Sequence, residues 1–298
     1  MPVLDCRKVA DGFLDWVKEA RTGLASNPCL ATVLCGPSAD AGSRQYRDLI
    51  LRDAAKLGLK SLSVQAADQS ELLQAIGRLN EDAKVTGVMV LYPIGGSLAD
   101  EDIMDLVSPR KDVEGLHSVN LGYLIKFKRF LDEARGIKCV VPATAKAVVK
   151  TLQHYSVPID GSFVAVVNNS MRVGKPLSLM LENLGATVVT CYRKTRPRDL
   201  EAAVRIADIV VTAVPGAGFR LAPSWIKPGA AVIDVSYQGN FDVDAVSARA
   251  GLFTSPDNRI GQVTRAMMFV NLIYCAQSAA GAQAKAAGAG PRGSARSR

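Results

Sequence analysis

Short apolar runs, each followed by a polar turn and then by a helical stripe, recur along almost the whole of this 298-residue chain. That alternation leaves few solutions. Strands separated by helices pair in parallel and are covered by those helices, so an α/β fold with parallel sheets is expected. The first stripe places Val9, Phe13, Trp16 and Val17 on one helical face. The run Cys29-Leu30-Ala31-Thr32-Val33-Leu34 then reads as a buried strand, residues 43–57 as a helix, Leu62-Ser63-Val64 as a short strand and 72–79 as a helix. Gly87-Val88-Met89-Val90-Leu91 reads as a strand that ends in Tyr92-Pro93-Ile94-Gly95-Gly96. A second series opens near Pro142 with a helix over 145–155, strands over 163–167, 186–191, 207–213 and 231–235, and a helix over 177–184. Strand, polar turn, helix and strand is the order of dinucleotide-binding units, although the G-x-G-x-x-G fingerprint is absent.

Composition narrows the class. With 48% hydrophobic and 21% charged residues the chain is neither disordered nor a small disulfide scaffold, and its length allows two domains. No apolar run approaches the ~18–20 residues of a membrane-spanning helix. The start, Met1 to Arg7, is acidic early and lacks an apolar core, so no secretory or transit signal is expected and the cytoplasm is the default. Six cysteines without a C-x-x-C pair or histidines at ligand spacing predict reduced, buried thiols and no metal. The net charge of +8 is half accounted for by Lys285, Arg292, Arg296 and Arg298, in an Ala/Gly/Ser-rich segment over 279–298 expected to be a disordered basic tail. What remains suits a protein binding an anionic small molecule, and a nucleic-acid partner is not expected.

The segment Pro109-Arg110-Lys111-Asp112-Val113-Glu114-Gly115-Leu116-His117-Ser118-Val119-Asn120-Leu121-Gly122 resembles the P-x-K-D-V-D-G-F-H-P-x-N-x-G motif of the methylenetetrahydrofolate dehydrogenase/methenyltetrahydrofolate cyclohydrolase family. Trp225 to Val235, Ser170-Met171-Arg172-Val173-Gly174-Lys175-Pro176 and Ala207-Asp208-Ile209-Val210-Val211 are similar to further family segments, in order and at family spacing. The resemblance implies a folate-binding α/β domain over 1–141, a Rossmann-type NAD(P)-binding domain over 142–278 with its last helix returning to the first domain, a cleft between them, and a homodimer. Members oxidise 5,10-methylenetetrahydrofolate with NAD(P) and hydrolyse the methenyl product to 10-formyltetrahydrofolate.

The departures bear on which activities survive. The family's Y-x-x-x-K helix keeps its aromatic residue as Tyr46, which can stack on a flat pterin or aminobenzoyl ring for roughly 1 kcal/mol beyond area burial. Its lysine is Ile50 here, which can neither move a proton nor orient water. Lys56 lies about 9 Å farther along the helix on another face, and Arg47 is too strongly basic to serve. In the strand motif V-Q-L-P-L-P, Leu91 replaces the glutamine that pairs with that lysine, and Tyr92 follows it. Loss of both polar partners is coherent, and Ile50 packing on Leu91 would leave a drier pocket. Cyclohydrolase activity is expected to be lost. Glu114 keeps the carboxylate that reads the pterin edge, one methylene longer, so that either the ring shifts or the ligand differs.

On the cofactor side, V-V-G-R-S becomes Val166-Val167-Asn168-Asn169-Ser170, and backbone amides at the helix start remain available to a phosphate. Asn tolerates positive φ, so the turn is expected to survive with Asn168 and Asn169 in it. Arg193 and Lys194 replace the C-H-S-x-T serine region, as an NADP 2′-phosphate site or as a surface charge run. Tyr237 stands in the segment corresponding to D-V-G-I-N, and Asp257, Asn258, Arg259, Ile260 and Gly261 in that corresponding to P-G-G-V-G. The resemblance assigns Tyr46 and Glu114 as catalytic. It assigns Ile50, Leu91, Tyr92 and 257–261 to the folate, and Asn168, Asn169, Ser170, Arg193 and Tyr237 to the cofactor. A one-carbon transfer to another acceptor and a non-catalytic scaffold remain the alternatives.

Overall fold

The computed structural model describes residues 3–36, 41–216 and 218–288. The first half runs α1 (Cys6–Thr22), β1 (Cys29–Cys35), α2 (Ala41–Lys56), β2 (Lys60–Ala66), α3 (Gln69–Glu81), β3 (Gly87–Val90), α4 (Asp100–Met104), α5 (Ser118–Ile125), β4 (Phe130–Asp132) and β5 (Ile137–Lys138). The second runs α6 (Ala143–His154), β6 (Phe163–Val167), α7 (Gly174–Glu182), β7 (Thr187–Cys191), α8 (Pro197–Ile206), β8 (Ile209–Thr212), β9 (Ala231–Asp234), α9 (Val243–Ser247), β10 (Leu252–Phe253) and α10 (Ile260–Gly288). Two compact units result, and they are interleaved in sequence. One comprises the described residues of 18–113, 129–140 and 272–288; the other comprises those of 3–17, 114–128 and 141–271.

The first unit is built on a parallel sheet in the order β2-β1-β3. The central strand β1 is buried over six of its seven residues, as its unbroken apolar run requires. Strand β2 extends beyond the three residues foreseen: it spans seven, most of them exposed, because an edge strand needs no apolar run to pair. Helix α3 starts on a reciprocal cap in which Asp68 accepts from Glu71 N at 2.8 Å and Glu71 accepts from Ala67 N at 2.7 Å. Its other end is held by Lys111, whose Nζ donates to the carbonyls of Leu79 at 2.9 Å and Asp82 at 2.7 Å. A cation on C-terminal carbonyls is favourable there, and burial pulls the Lys111 pKa below that of a free lysine.

The second unit carries a fully parallel sheet in the order β10-β9-β8-β6-β7. Its strands β8 and β9 are buried at every residue and β6 at four of five. Val210, Val232 and Ala165 pack with Val204, Phe241 and Phe253. The chain's first residues belong to this unit because Val3 bridges Phe253, Leu4 N donates to Phe253 O at 2.8 Å, and Asp5 N donates to Tyr155 Oη at 2.6 Å. The order reverses direction between β6 and β8, the switch point at whose carboxyl ends doubly wound folds bind ligands.

Helix α10 corrects the expectation of a disordered tail from residue 279: it continues to Gly288. The alanines of 279–288 carry the highest helix propensity and extend a helix already nucleated. Residues 289–298, with the rest of the proposed tail, lie outside the described residues. All six cysteines are free and five are buried, and burial together with the Asp5 charge pushes the Cys6 pKa up to about 12. No helix among the described residues is long and apolar enough to cross a membrane.

Candidate active site

Tyr46 and Ile50 stand one turn apart on α2, where i and i+4 share a face. Tyr46 is half-buried and packs against Leu34 and Leu91, and Ile50 is 0% exposed. The hydrophobic cluster that Leu91 joins thus contains Leu34 and Tyr46 in place of the expected Ile50. The strand residue that would offer an amide instead presses methyl groups on the tyrosine ring. Tyr92 is buried beside Leu91. Arg47, the nearest cation in sequence, is paired with Asp48 at 2.9 Å. In this unit Tyr46 and Leu91 come together.

The remaining predicted residues lie in the five-stranded unit. Glu114 is half-buried, and its carbonyl accepts from Ala143 N at 3.0 Å at the start of α6. Gly115 beside it has φ +74°, and a Cβ there would lie 2.5 Å from the Val141 carbonyl carbon, so the motif requires glycine. His117 caps α5, its Nδ1 accepting from Val119 N at 3.0 Å. His154 makes an edge contact with the Tyr155 ring, 5.1 Å between centroids.

The turn after β6 departs from expectation. Asn168 spends its whole side chain: Nδ2 donates to Ala213 O at 2.7 Å, across the β6/β8 switch point, and Oδ1 accepts from Ser170 N, Ser170 Oγ and Gly174 N at 2.8, 2.7 and 2.9 Å. Neither Asn168 nor Asn169 has positive φ. The turn survives through these side-chain bonds, and left-handed backbone plays no part. Val173 N donates to Ser170 Oγ at 3.2 Å and Lys175 N to Ser170 O at 3.0 Å. The amides of 173–175 that a helix start would offer a phosphate are therefore already engaged. This arrangement does not fit a diphosphate cradled by those amides. Helix α7 also begins three residues earlier than its apolar pattern predicts, because this network caps it.

Asn169 is exposed and Arg193 is exposed on the turn after β7, which Thr195 closes by accepting from Tyr192 N at 2.9 Å. Tyr237 is 65% exposed, and the Arg259 guanidinium lies 4.9 Å over its ring. Arg259 also donates from Nη1 to Tyr237 O and from Nε to Pro256 O at 2.7 Å. Asp257 is exposed and Asn258 half-buried. Ile260 is a correction: at 0% exposure it is core, the first residue of α10, and it offers a ligand no surface. Gly261 has open space around it, so close backbone approach does not explain it. Sequence reasoning missed the Asn168 network, although Asn followed by Ser at the second position is an Asx-turn signal. It also missed Lys111 as the anchor of α3.

A doubly wound parallel sheet with its switch point, together with a smaller parallel unit bearing an aromatic residue on a helix, defines a two-unit α/β protein of the dinucleotide-binding class. Residues 4–114 match the tetrahydrofolate dehydrogenase/cyclohydrolase catalytic domain and residues 142–280 match the NAD(P)-binding domain of the same family. The chain belongs to that family. It is 33% identical over 286 residues to the bifunctional protein FolD of Methanoculleus marisnigri, covering 92% of this chain and 96% of the relative. The FolD of Xanthomonas axonopodis pv. citri is 34% identical over 292 residues, 93% of this chain and 92% of the relative. Among solved structures, the FolD methylenetetrahydrofolate dehydrogenase/cyclohydrolase of Campylobacter jejuni superposes with a TM-score of 0.83 at 28% identity, covering 94% of this chain and 99% of that one. The Trypanosoma brucei enzyme, complexed with NADP and an inhibitor, gives 0.84 at 29% identity with the same coverages.

Proposed function

We propose that this protein is a folate-dependent one-carbon enzyme of the methylenetetrahydrofolate dehydrogenase type from which the cyclohydrolase activity has been lost. The observation that carries this is Ile50, fully buried on the Tyr46 face of α2 with Leu91 packed on that tyrosine. Losing a hydride from the methylene carbon places no demand on an amine at residue 50. Attack of water on the methenyl carbon does, because that water must be oriented and must give up a proton. Tyr46 supplies a ring on which a pterin or aminobenzoyl group stacks, and Leu91 backs that ring with apolar surface. Glu114 offers a carboxylate to the pterin's donors. Membership of the family and the match of 142–280 to its NAD(P)-binding domain support oxidation as the reaction.

The test is to mix the purified protein with 5,10-methylenetetrahydrofolate and NAD or NADP, and to follow absorbance of the reduced nicotinamide and of the methenyl product. Methenyl accumulation without decay to the 10-formyl compound is the expected result. Decay faster than the uncatalysed rate would overturn the loss of cyclohydrolase, and absence of folate binding would leave only a scaffold role.

The engaged amides of the phosphate turn favour a second reading, in which the folate's methylene carbon passes to a different acceptor. Asn168→Gly separates the two. Removing the four side-chain bonds of Asn168 is expected to cost about 2–3 kcal/mol of stability, read from urea unfolding. The freed amides of Ser170 and Gly174 are expected to tighten NADP binding at least tenfold, read by calorimetry. Unchanged affinity would show that the turn does not limit the nucleotide.

A further inference from the structure

Within the five-stranded unit, the carboxyl ends of β9 and β10 border a cavity of about 240 Å³ lined by Arg220, Asp234, Ser236, Gly239, Thr254 and Arg259 among others. Ligands of parallel sheets bind at this edge. The volume lies below the ~300 Å³ at which pockets for drug-sized ligands begin, so a small molecule or a single functional group fits.

Its electrostatics are specific. Arg259 is fixed by its bonds to the Pro256 and Tyr237 carbonyls and by the Tyr237 ring beneath it. Arg220 is fixed by Nη1 donating to Gly239 O at 2.7 Å. Carbonyl partners orient a guanidinium without cancelling its charge, and among the described residues neither arginine makes an ion pair. The carboxylate in the lining is committed elsewhere. Asp234 Oδ1 accepts from Thr212 Oγ1 at 3.2 Å and from Ser236 N at 2.8 Å, and Oδ2 accepts from Asn240 N at 2.5 Å. Ser236 Oγ, by contrast, is shielded from solvent and has no hydrogen-bond partner among the described residues. A buried hydroxyl without a partner carries a desolvation cost that a bound acceptor would relieve.

We propose that this cavity binds the carboxylate of a small organic acid, received by Arg220 and Arg259 with Ser236 Oγ as a third donor. Planar guanidinium forks match carboxylate and phosphate alike. Counting Asp234 with the two arginines, the lining carries one net positive charge, which a carboxylate monoanion neutralises and a phosphate dianion overcompensates. Both arginines are oriented before binding, which lowers the ordering cost. The site goes beyond the folate reading and does not rest on it. It gives Arg259 and Tyr237 a joint role as an anion clamp and its support, in segments where the family motif has glycine.

The experiment is calorimetric titration of the full-length protein, in chloride-free buffer, with glycolate, its uncharged isostere glycolamide, and inorganic phosphate. Glycolate is expected to bind at least tenfold more tightly than either competitor. Arg220→Gln, a change at an exposed residue, and Arg259→Gln are each expected to weaken glycolate at least tenfold. Arg259→Lys should recover part of that loss, and Ser236→Ala should weaken binding about threefold. Equal affinity for glycolate and glycolamide, or no effect of Arg220→Gln, would overturn the site. Tighter binding of phosphate would overturn its assignment to carboxylates.

Discussion

Replacing Ile50 by lysine is expected to destabilise the protein by about 3–5 kcal/mol at pH 7, without restoring cyclohydrolase activity. The side chain it replaces is fully buried, and the strand residue that would have hydrogen-bonded an ammonium is Leu91. An unpaired ammonium in such a place deprotonates, so the folded-state pKa of the new lysine falls below its unfolded value near 10.4. The unfolded chain then binds more protons than the folded one, and stability rises with pH through the window between those two values. Urea unfolding at pH 7 and pH 10 should therefore show a smaller deficit at the higher pH. Adding Leu91→Gln supplies an acceptor, and a coupling of about 1–2 kcal/mol between the two sites is expected. If Ile50→Lys alone were as stable as the parent and hydrolysed the methenyl compound, the buried apolar face would not be what removed the second activity.

Gly174→Ala is the other substitution with a large expected effect. A Cβ on this first residue of α7 collides with the backbone carbonyl of Asn168. That carbonyl cannot yield cheaply, since the Asn168 side chain ties the same turn to Ala213, Ser170 and Gly174 itself. A clash of backbone with Cβ in a pinned turn belongs to the class of changes costing more than about 4 kcal/mol. The midpoint of thermal unfolding should fall by roughly 10 °C or the protein should fail to accumulate. Gly77→Ala is the control. Gly77 sits inside α3 with open space where a Cβ would go, and the change is expected to stabilise by about 0.5–1 kcal/mol. A small effect at Gly174 would mean that the turn is far looser than its hydrogen bonds indicate.

Strands β1, β3, β6, β8 and β9 were legible because their apolar runs are buried on both faces, so every residue reports the environment. β2 was read short because its exposed residues obey no such rule. The apolar pattern of α7 was visible but its start was not, since the start is set by side-chain bonds from a turn whose residues look like ordinary loop. At the site, Ile50 was legible as a missing chemistry, because a hydrocarbon can be excluded from proton transfer without coordinates. Its packing was not, because which neighbour Leu91 meets depends on how a strand residue faces a helix. Ile260 was misplaced for a related reason: position in a motif does not reveal whether a side chain points into a core.

The pairing of Val3 and Leu4 with Phe253 also sets a schedule. Val3 and Leu4 must wait for a partner made about 250 residues later, which at ~5–20 residues per second is a delay of about 12–50 seconds. During that interval Val3 and Leu4 have no native strand to dock on, so this pairing is among the last long-range contacts the unit can make.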